Sequence, residues 1–333
     1  MAGGESLALW QVLEAQRLLA GTLPRTPLYH SGGLSALCGA EVYVKHENHS
    51  PVGSFKARGA LVALGKAVEA AARAGTRLSG AVTCSTGNHG MGVAYAGRRL
   101  GVPVTVYVPQ GANPDKCRLI QQFGAQLAVA GRDLDEAKVT ARAAAAGSGM
   151  AFIDDGDDLW LMAGAGTVGL EVVEELPEIE ILLLPAGGGA LLAGAGLAAK
   201  RLKPEVRVTG VAAERAPGVY LSWRAGGQPV TSPYCDTFAE GLAQPTPAPL
   251  AARVLAEVAD EVVLVSEAAL RQAIRLLLDH THNLAEGAGA AALAGALALR
   301  ETIAGRRAAI VLSGGNLTQQ ALRETLAADE PPP

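Results

Sequence analysis

The chain of 333 residues carries 28 basic and 32 acidic side chains, a formal charge of −4 with no long block of one sign. That length allows one large domain or two modest ones, and the even, slightly acidic balance argues against nucleic acid or an anionic membrane surface as a partner. No uninterrupted apolar run approaches the ~20 residues that a membrane span needs.

Aromatic residues make up 4% of the chain and apolar residues 49%, so the core is expected to consist mostly of Ala, Leu and Val. Met1-Ala2-Gly3-Gly4-Glu5 is not a basic segment leading into an apolar run, so no signal peptide is read there. Cys38, Cys84, Cys117 and Cys235 are scattered without paired spacing, which fits a reduced, cytoplasmic protein and no structural zinc.

In chain order, apolar strand-like runs are predicted at 41–46, 81–84, 102–108, 126–130, 181–184, 206–212, 261–265 and 308–312. Helix-like stretches fall between most of them, at 90–100, 134–145, 167–175, 191–200, 267–279 and 287–299. This alternation predicts an α/β protein with parallel sheets covered by helices on both faces. The segment 215–249, rich in Pro and Gly, reads as a long surface loop or interface element, and the tail Asp329-Glu330-Pro331-Pro332-Pro333 as frayed.

In parallel sheets, ligands bind beyond the carboxyl ends of the strands. Ser85-Thr86-Gly87-Asn88-His89-Gly90, Gly187-Gly188-Gly189-Ala190 and Ser313-Gly314-Gly315-Asn316 each follow a predicted strand. A glycine run before a helix exposes N–H groups to an anion such as phosphate. The Ser85–Gly90 loop offers hydroxyls, an amide and N–H groups suited to a carboxylate. Alone, the first could be a helix cap and the second a tight turn; their shared placement beside Lys56, in Ser54-Phe55-Lys56-Ala57-Arg58, is what points to one site. A lysine forms a Schiff base once partly deprotonated, which burial or a nearby cation promotes. The motifs together suit a phosphorylated aldehyde held on Lys56. Arg58 reads as structural, and His280 and His282 as a loop pair.

These motifs resemble the fold-type II pyridoxal-phosphate enzymes, in the serine/threonine dehydratase and serine racemase branch. The resemblance runs from Thr26-Pro27-Leu28 to about Asn316 and includes Lys45-His46-Glu47-Asn48, Gly164-Ala165-Gly166-Thr167, Ala239-Glu240-Gly241-Leu242-Ala243 and Glu286-Gly287-Ala288-Gly289-Ala290. It implies a two-lobed, tryptophan synthase beta-like fold, with a small lobe at 80–153 inserted in a large lobe formed by 1–79 and 154–333. It implies pyridoxal 5'-phosphate as cofactor, an amino acid as substrate and a homodimer or homotetramer.

By the same resemblance, Lys56 carries the Schiff base; Gly187, Gly188, Gly189 and Ala190 hold the phosphate. Asn88 bonds the ring hydroxyl, Phe55 and Gly241 flank the ring, Glu286 joins the cofactor contacts and Ser313 faces the pyridine nitrogen. Ser85, Thr86, Asn88 and His89 bind substrate. A serine does not force protonation of the pyridine as an aspartate would, so electrons reaching Cα leave by expelling a β-substituent. The implied reaction is elimination from a β-hydroxy amino acid (threonine, serine, hydroxyaspartate or phenylserine), with Lys56 as base on Cα–H, giving a 2-keto acid and ammonia. Two alternatives stay open: a racemase using Lys56 and Thr86 on opposite faces, and a β-replacement synthase. The chain departs from the family pattern at Ala165, where Gln is usual, at Glu240, where Asp is usual, and at Thr86. The divalent-cation pattern of some relatives has Glu214 but Tyr220 in place of its Asp, so no metal is expected. Little chain follows Ser313, so an isoleucine-sensing regulatory domain is not expected.

Overall fold

The computed structural model describes residues 6–327; the N-terminal Met1–Glu5 stretch and the proline tail lie outside them. Ten strands form two sheets. The strands are β1 Leu28–His30, β2 Glu41–His46, β3 Gly80–Cys84, β4 Val104–Val108, β5 Gln126–Val129, β6 Met150–Phe152, β7 Ile181–Pro185, β8 Arg207–Ala213, β9 Glu261–Val265 and β10 Arg307–Leu312. The larger sheet has the order β1-β2-β10-β7-β8-β9, and the smaller one β5-β4-β3-β6. Every pairing is parallel except β1 with β2.

Strand β7, Ile181-Leu182-Leu183-Leu184-Pro185, is buried along its whole length, as a parallel strand covered on both faces must be. Its side chains alternate between two cores: Leu182 and Leu184 enter one, Ile181 and Leu183 the other. The first core is packed by the helices Leu9–Leu19, Leu159–Glu175 and Ala190–Leu202; the second by Glu267–Thr281 and Gly287–Ala298. In the smaller sheet, β4 buries Val104, Val106 and Val108 and leaves Thr105 and Tyr107 half-buried. All strands of the smaller sheet come from one stretch, 80–152, between two strands of the larger.

Small residues let the helices approach closely. A Cβ on Gly164 would lie 2.6 Å from the Cα of Gly59, so the Leu159–Glu175 helix sits directly on the Lys56–Arg73 helix. Between them lies a buried charge cluster. The Arg58 guanidinium donates to Glu47 at 2.8 and 2.9 Å and to Glu171 at 2.6 and 2.8 Å, and Lys45 Nζ lies 2.7 Å from Glu171. Thr167 Oγ1 accepts from Arg58 at 3.0 Å. Arg58 is thus a structural ion-pair residue, buried rather than on a helix surface.

Within the 215–249 segment, Gly218–Arg224 is helical and Glu240–Leu242 forms a 3-10 turn. Trp223 anchors the segment by donating to the Ala259 carbonyl at 3.2 Å. It is a packed connection with buried Val219, Ala239 and Leu242, rather than a surface loop throughout. Cys84, with its thiol pushed up to about 11 by burial, packs half-buried at the end of β3.

Candidate active site

Lys56 opens a helix, Lys56–Arg73, and Phe55 immediately before it donates its N–H to the Ser313 carbonyl at 3.0 Å. A bridge between Ser54 and Gly314 fixes the same crossing, so the end of β10 is pinned to the lysine. Ser313 is buried, and its hydroxyl lies 3.4 Å from the Ala288 carbonyl. The half-buried Phe55 ring has its centroid 5.2 Å from Lys56 Nζ.

Beyond β7 the chain turns through Gly187-Gly188-Gly189 into the helix Ala190–Leu202. Gly189 has φ 92°, a left-handed conformation that glycine adopts freely. A Cβ on Gly187 would sit 2.1 Å from the Gly241 carbonyl oxygen, and only glycine allows that approach. Gly188 faces more open space: its nearest neighbours would be Gln244 Cγ at 3.7 Å and the Asp155 carbonyl at 3.9 Å. Gly187 and Gly188 are half-buried just ahead of a helix N-terminus. These features fit a phosphate group, because close backbone approach and the helix field both favour an anion.

The Asn88–Leu100 helix starts at the end of β3. Asn88 Nδ2 donates to Glu286 Oε1 at 2.6 Å, and Asn88 Oδ1 accepts from Asn316 Nδ2 at 2.7 Å. Ser85, Thr86 and Asn88 are half-buried, and the Ser85 hydroxyl accepts from the Gly87 N–H at 3.1 Å. His89 is buried, with Nε2 3.2 Å from the Ile153 carbonyl; burial lowers its pKa. Burial also pushes Glu286 up to about 7, against the hydrogen bond from Asn88 and with the charge of Glu240. Glu240 itself forms an ion pair with Lys116.

These residues are neighbours in a ring: Lys56 joins Ser313 through Phe55, the Ser313 hydroxyl faces Ala288, a Cβ on Gly241 would meet Ala288 and one on Gly187 would meet Gly241, and Gly188 lies near the backbone of Asp155, whose side chain pairs with Lys56. Asp155 is the member that sequence reasoning missed. Its Oδ1 pairs with Lys56 Nζ and lies 3.4 Å from His89 Nδ1. Burial raises its pKa, but the charges of His89 and Lys56 prevail and bring it to about 2. Asp155 sits on the loop just after β6, the same placement beyond a strand's carboxyl end that marks the glycine motifs. Among the described residues, no group of three or more His, Cys, Asp or Glu could hold a metal ion, His280 and His282 included.

A lysine on this ring, with a glycine turn ahead of a helix and a buried serine nearby, fits a pyridoxal-phosphate site. The sequence profile of the family described as pyridoxal-phosphate dependent enzyme matches residues 19–314. The chain belongs to that family. Among its relatives, an L-threonine ammonia-lyase of Thermotoga maritima is 37% identical over 93% of this chain and 76% of that protein. The catabolic L-threonine dehydratase of Escherichia coli K12 is 33% identical over 93% of both chains. Among solved structures, maize serine racemase superposes with a TM-score of 0.88 at 27% identity, covering 97% of each chain. The processed form of threonine deaminase isoform 2 from Solanum lycopersicum gives 0.87 at 29% identity, covering 96% of this chain and 94% of that one. The protein is a fold-type II, pyridoxal-phosphate-dependent enzyme of the dehydratase and ammonia-lyase class.

Proposed function

We propose that the substrate is a neutral β-hydroxy amino acid, threonine or serine, and that Lys56 performs the proton transfer. The placement of Lys56 beside Ser313 supports the role of Lys56, and the likeness to L-threonine ammonia-lyase and dehydratase supports the substrate. When bound, pyridoxal phosphate supplies the electron sink that makes a Cα proton removable. Gly187, Gly188, Gly189 and Ala190 hold its phosphate through backbone N–H groups. Asn88, Glu286, Phe55, Gly241 and Ser313 line its ring. Ser85, Thr86, Asn88 and the start of the Asn88–Leu100 helix receive the substrate carboxylate.

Lys56 Nζ takes the Cα proton, the electron pair left on Cα forms the Cα–Cβ double bond, the C–O bond breaks, and the departing hydroxyl receives one proton, in net the one removed from Cα, to leave as water. Tautomerisation and hydrolysis by one water then give a 2-keto acid and ammonia. Ser313, as a neutral hydroxyl, stabilises less charge on the ring than an aspartate would, and so favours expulsion over transamination. The stretch 80–153, which carries the Asn88 loop, acts as a small lobe closing on the rest.

The test is 2-keto acid release from cofactor-loaded protein on L- and D-serine, L-threonine, 3-hydroxyaspartate and phenylserine. Release from L-threonine or L-serine is expected. Lys56→Ala is expected to abolish it, and full turnover by that variant refutes the assignment of Lys56.

A further inference from the structure

Four aspartates fall within Asp154-Asp155-Gly156-Asp157-Asp158. Three have evident structural work. Asp154 is buried between Lys138 and Arg142. Asp157 accepts from the Leu250 N–H at 3.4 Å. Asp158 caps the Leu159–Glu175 helix by accepting from Trp160 N at 2.7 Å and Leu161 N at 2.9 Å. Asp155 has no such duty. Its carboxylate points at Lys56 Nζ, and its other near neighbour is the buried ring of His89.

The lysine side chain is 19% exposed and that of Asp155 30%, so the pair stands where charges attract more strongly than in water. Just after it has taken the Cα proton, Lys56 must carry a positive charge on Nζ, and the Asp155 carboxylate stands beside that nitrogen. We propose that Asp155 is a positioning residue, the counter-ion of protonated Lys56, which holds the amine in the site and stabilises the charge it acquires in the proton transfer. This rests on Lys56 being the Schiff-base lysine and the base. The proton moves from Cα to Nζ, the electron pair left on Cα forms the Cα–Cβ double bond as the C–O bond breaks, the departing hydroxyl takes up one proton, in net that from Cα, to leave as water, and Asp155 keeps its charge throughout. His89 and Lys138 also act on this carboxylate, and Glu286 faces Lys56, so the pair stands in a field that these groups share.

The experiment uses the cofactor-loaded protein and three forms: wild type, Asp155→Asn and Asp155→Glu. The first readout is the pH midpoint of the visible absorbance of the Lys56-bound cofactor, recorded without substrate. A nearby carboxylate favours the protonated nitrogen, so Asp155→Asn is expected to lower the midpoint by about one pH unit or more, and Asp155→Glu to restore most of it. The second readout is the split of kinetic constants. Asp155→Asn should lower kcat about tenfold while KM changes less than about threefold, because the ion pair acts on the proton transfer rather than on uniform binding. The Cα-deuterium isotope effect on kcat should rise as that step becomes slower.

An unchanged midpoint in Asp155→Asn, or a rise in KM with kcat retained, overturns the proposal. If Asp155→Asn fails to fold, Asp155→Ala removes the same charge and the same midpoint shift decides. Failure of the underlying reading looks different: wild type would then show no Lys56-dependent absorbance at all.

Discussion

Replacing Arg58 by Leu removes the centre of the buried charge cluster while keeping an apolar side chain in its place. The guanidinium makes six hydrogen bonds to four side chains: two to Glu47, two to Glu171 and one each to Thr26 and Thr167. With Lys45, the cluster has two cations against the buried Glu47 and Glu171, with Glu175 3.5 Å from Lys45 at its edge; without Arg58, one cation faces all three carboxylates. Breaking a buried pair by deleting one partner costs about 3–5 kcal/mol, a large share of the ~5–15 kcal/mol that holds a domain folded. At a urea slope of about 3 kcal/mol/M, the midpoint should fall by roughly 1–1.7 M.

The loss should also depend on pH, with a sign that can be worked out. In the wild type, burial pushes Glu171 up but the hydrogen bonds and charges of Arg58 and Lys45 hold it below the usual carboxylate range. A depressed carboxyl contributes stability at pH above its unfolded value and loses it as pH falls through the folded value. Without Arg58 the burial influence dominates at Glu171, which then gains stability on taking a proton. The difference between wild type and Arg58→Leu should therefore shrink from pH 7 to pH 5. A loss below about 1 kcal/mol, or one that does not change over that range, refutes the argument that this cluster stores uncompensated charge when broken.

Gly187→Ala should reduce cofactor retention at least tenfold, read as absorbance after dialysis, because the new Cβ would meet the Gly241 carbonyl at 2.1 Å and backbone cannot swing aside. Retention equal to wild type would show that the turn can shift. Glu286→Gln should flatten the pH dependence of stability between about 4.5 and 7. With Glu286 raised to about 7, its ionisation is disfavoured in the folded state, so its contribution is greatest at low pH and declines as pH rises through that window. Thermal melting of both forms from pH 4 to 8 checks this, and parallel curves count against it.

The eight predicted strands all appear, and so does the link between glycine motifs and strand ends, because buried parallel strands write themselves as apolar runs. The run at 102–108 shortens to Val104–Val108 because Pro103 lies ahead of the ladder. What escaped the sequence was short or distant. Strands β1 and β6 have three residues each, too few for a period to register. With β6 unseen, the loop that follows it carried no positional signal, and nothing singled out Asp155. The sequence separation of 99 residues between Asp155 and Lys56 is closed only by the fold. Arg58 was legible as structural, whereas its partners Glu47 and Glu171 were not. Nothing in their spacing says that two glutamates 124 residues apart converge on one guanidinium.

The position of β10 bears on how the protein is made. This strand, Arg307–Leu312, lies between β2 and β7 inside its sheet, so residues 41–46 find their parallel partner only once residues 307–312 have left the ribosome. Non-local pairing of this kind slows folding, while the smaller sheet, contiguous in sequence, can form earlier as a unit. Ser313 and Lys56 meet where β10 docks, through the hydrogen bond from the Phe55 N–H to the Ser313 carbonyl. The capacity to hold a cofactor therefore depends on that long-range pairing, and cofactor supplied during refolding should stabilise it.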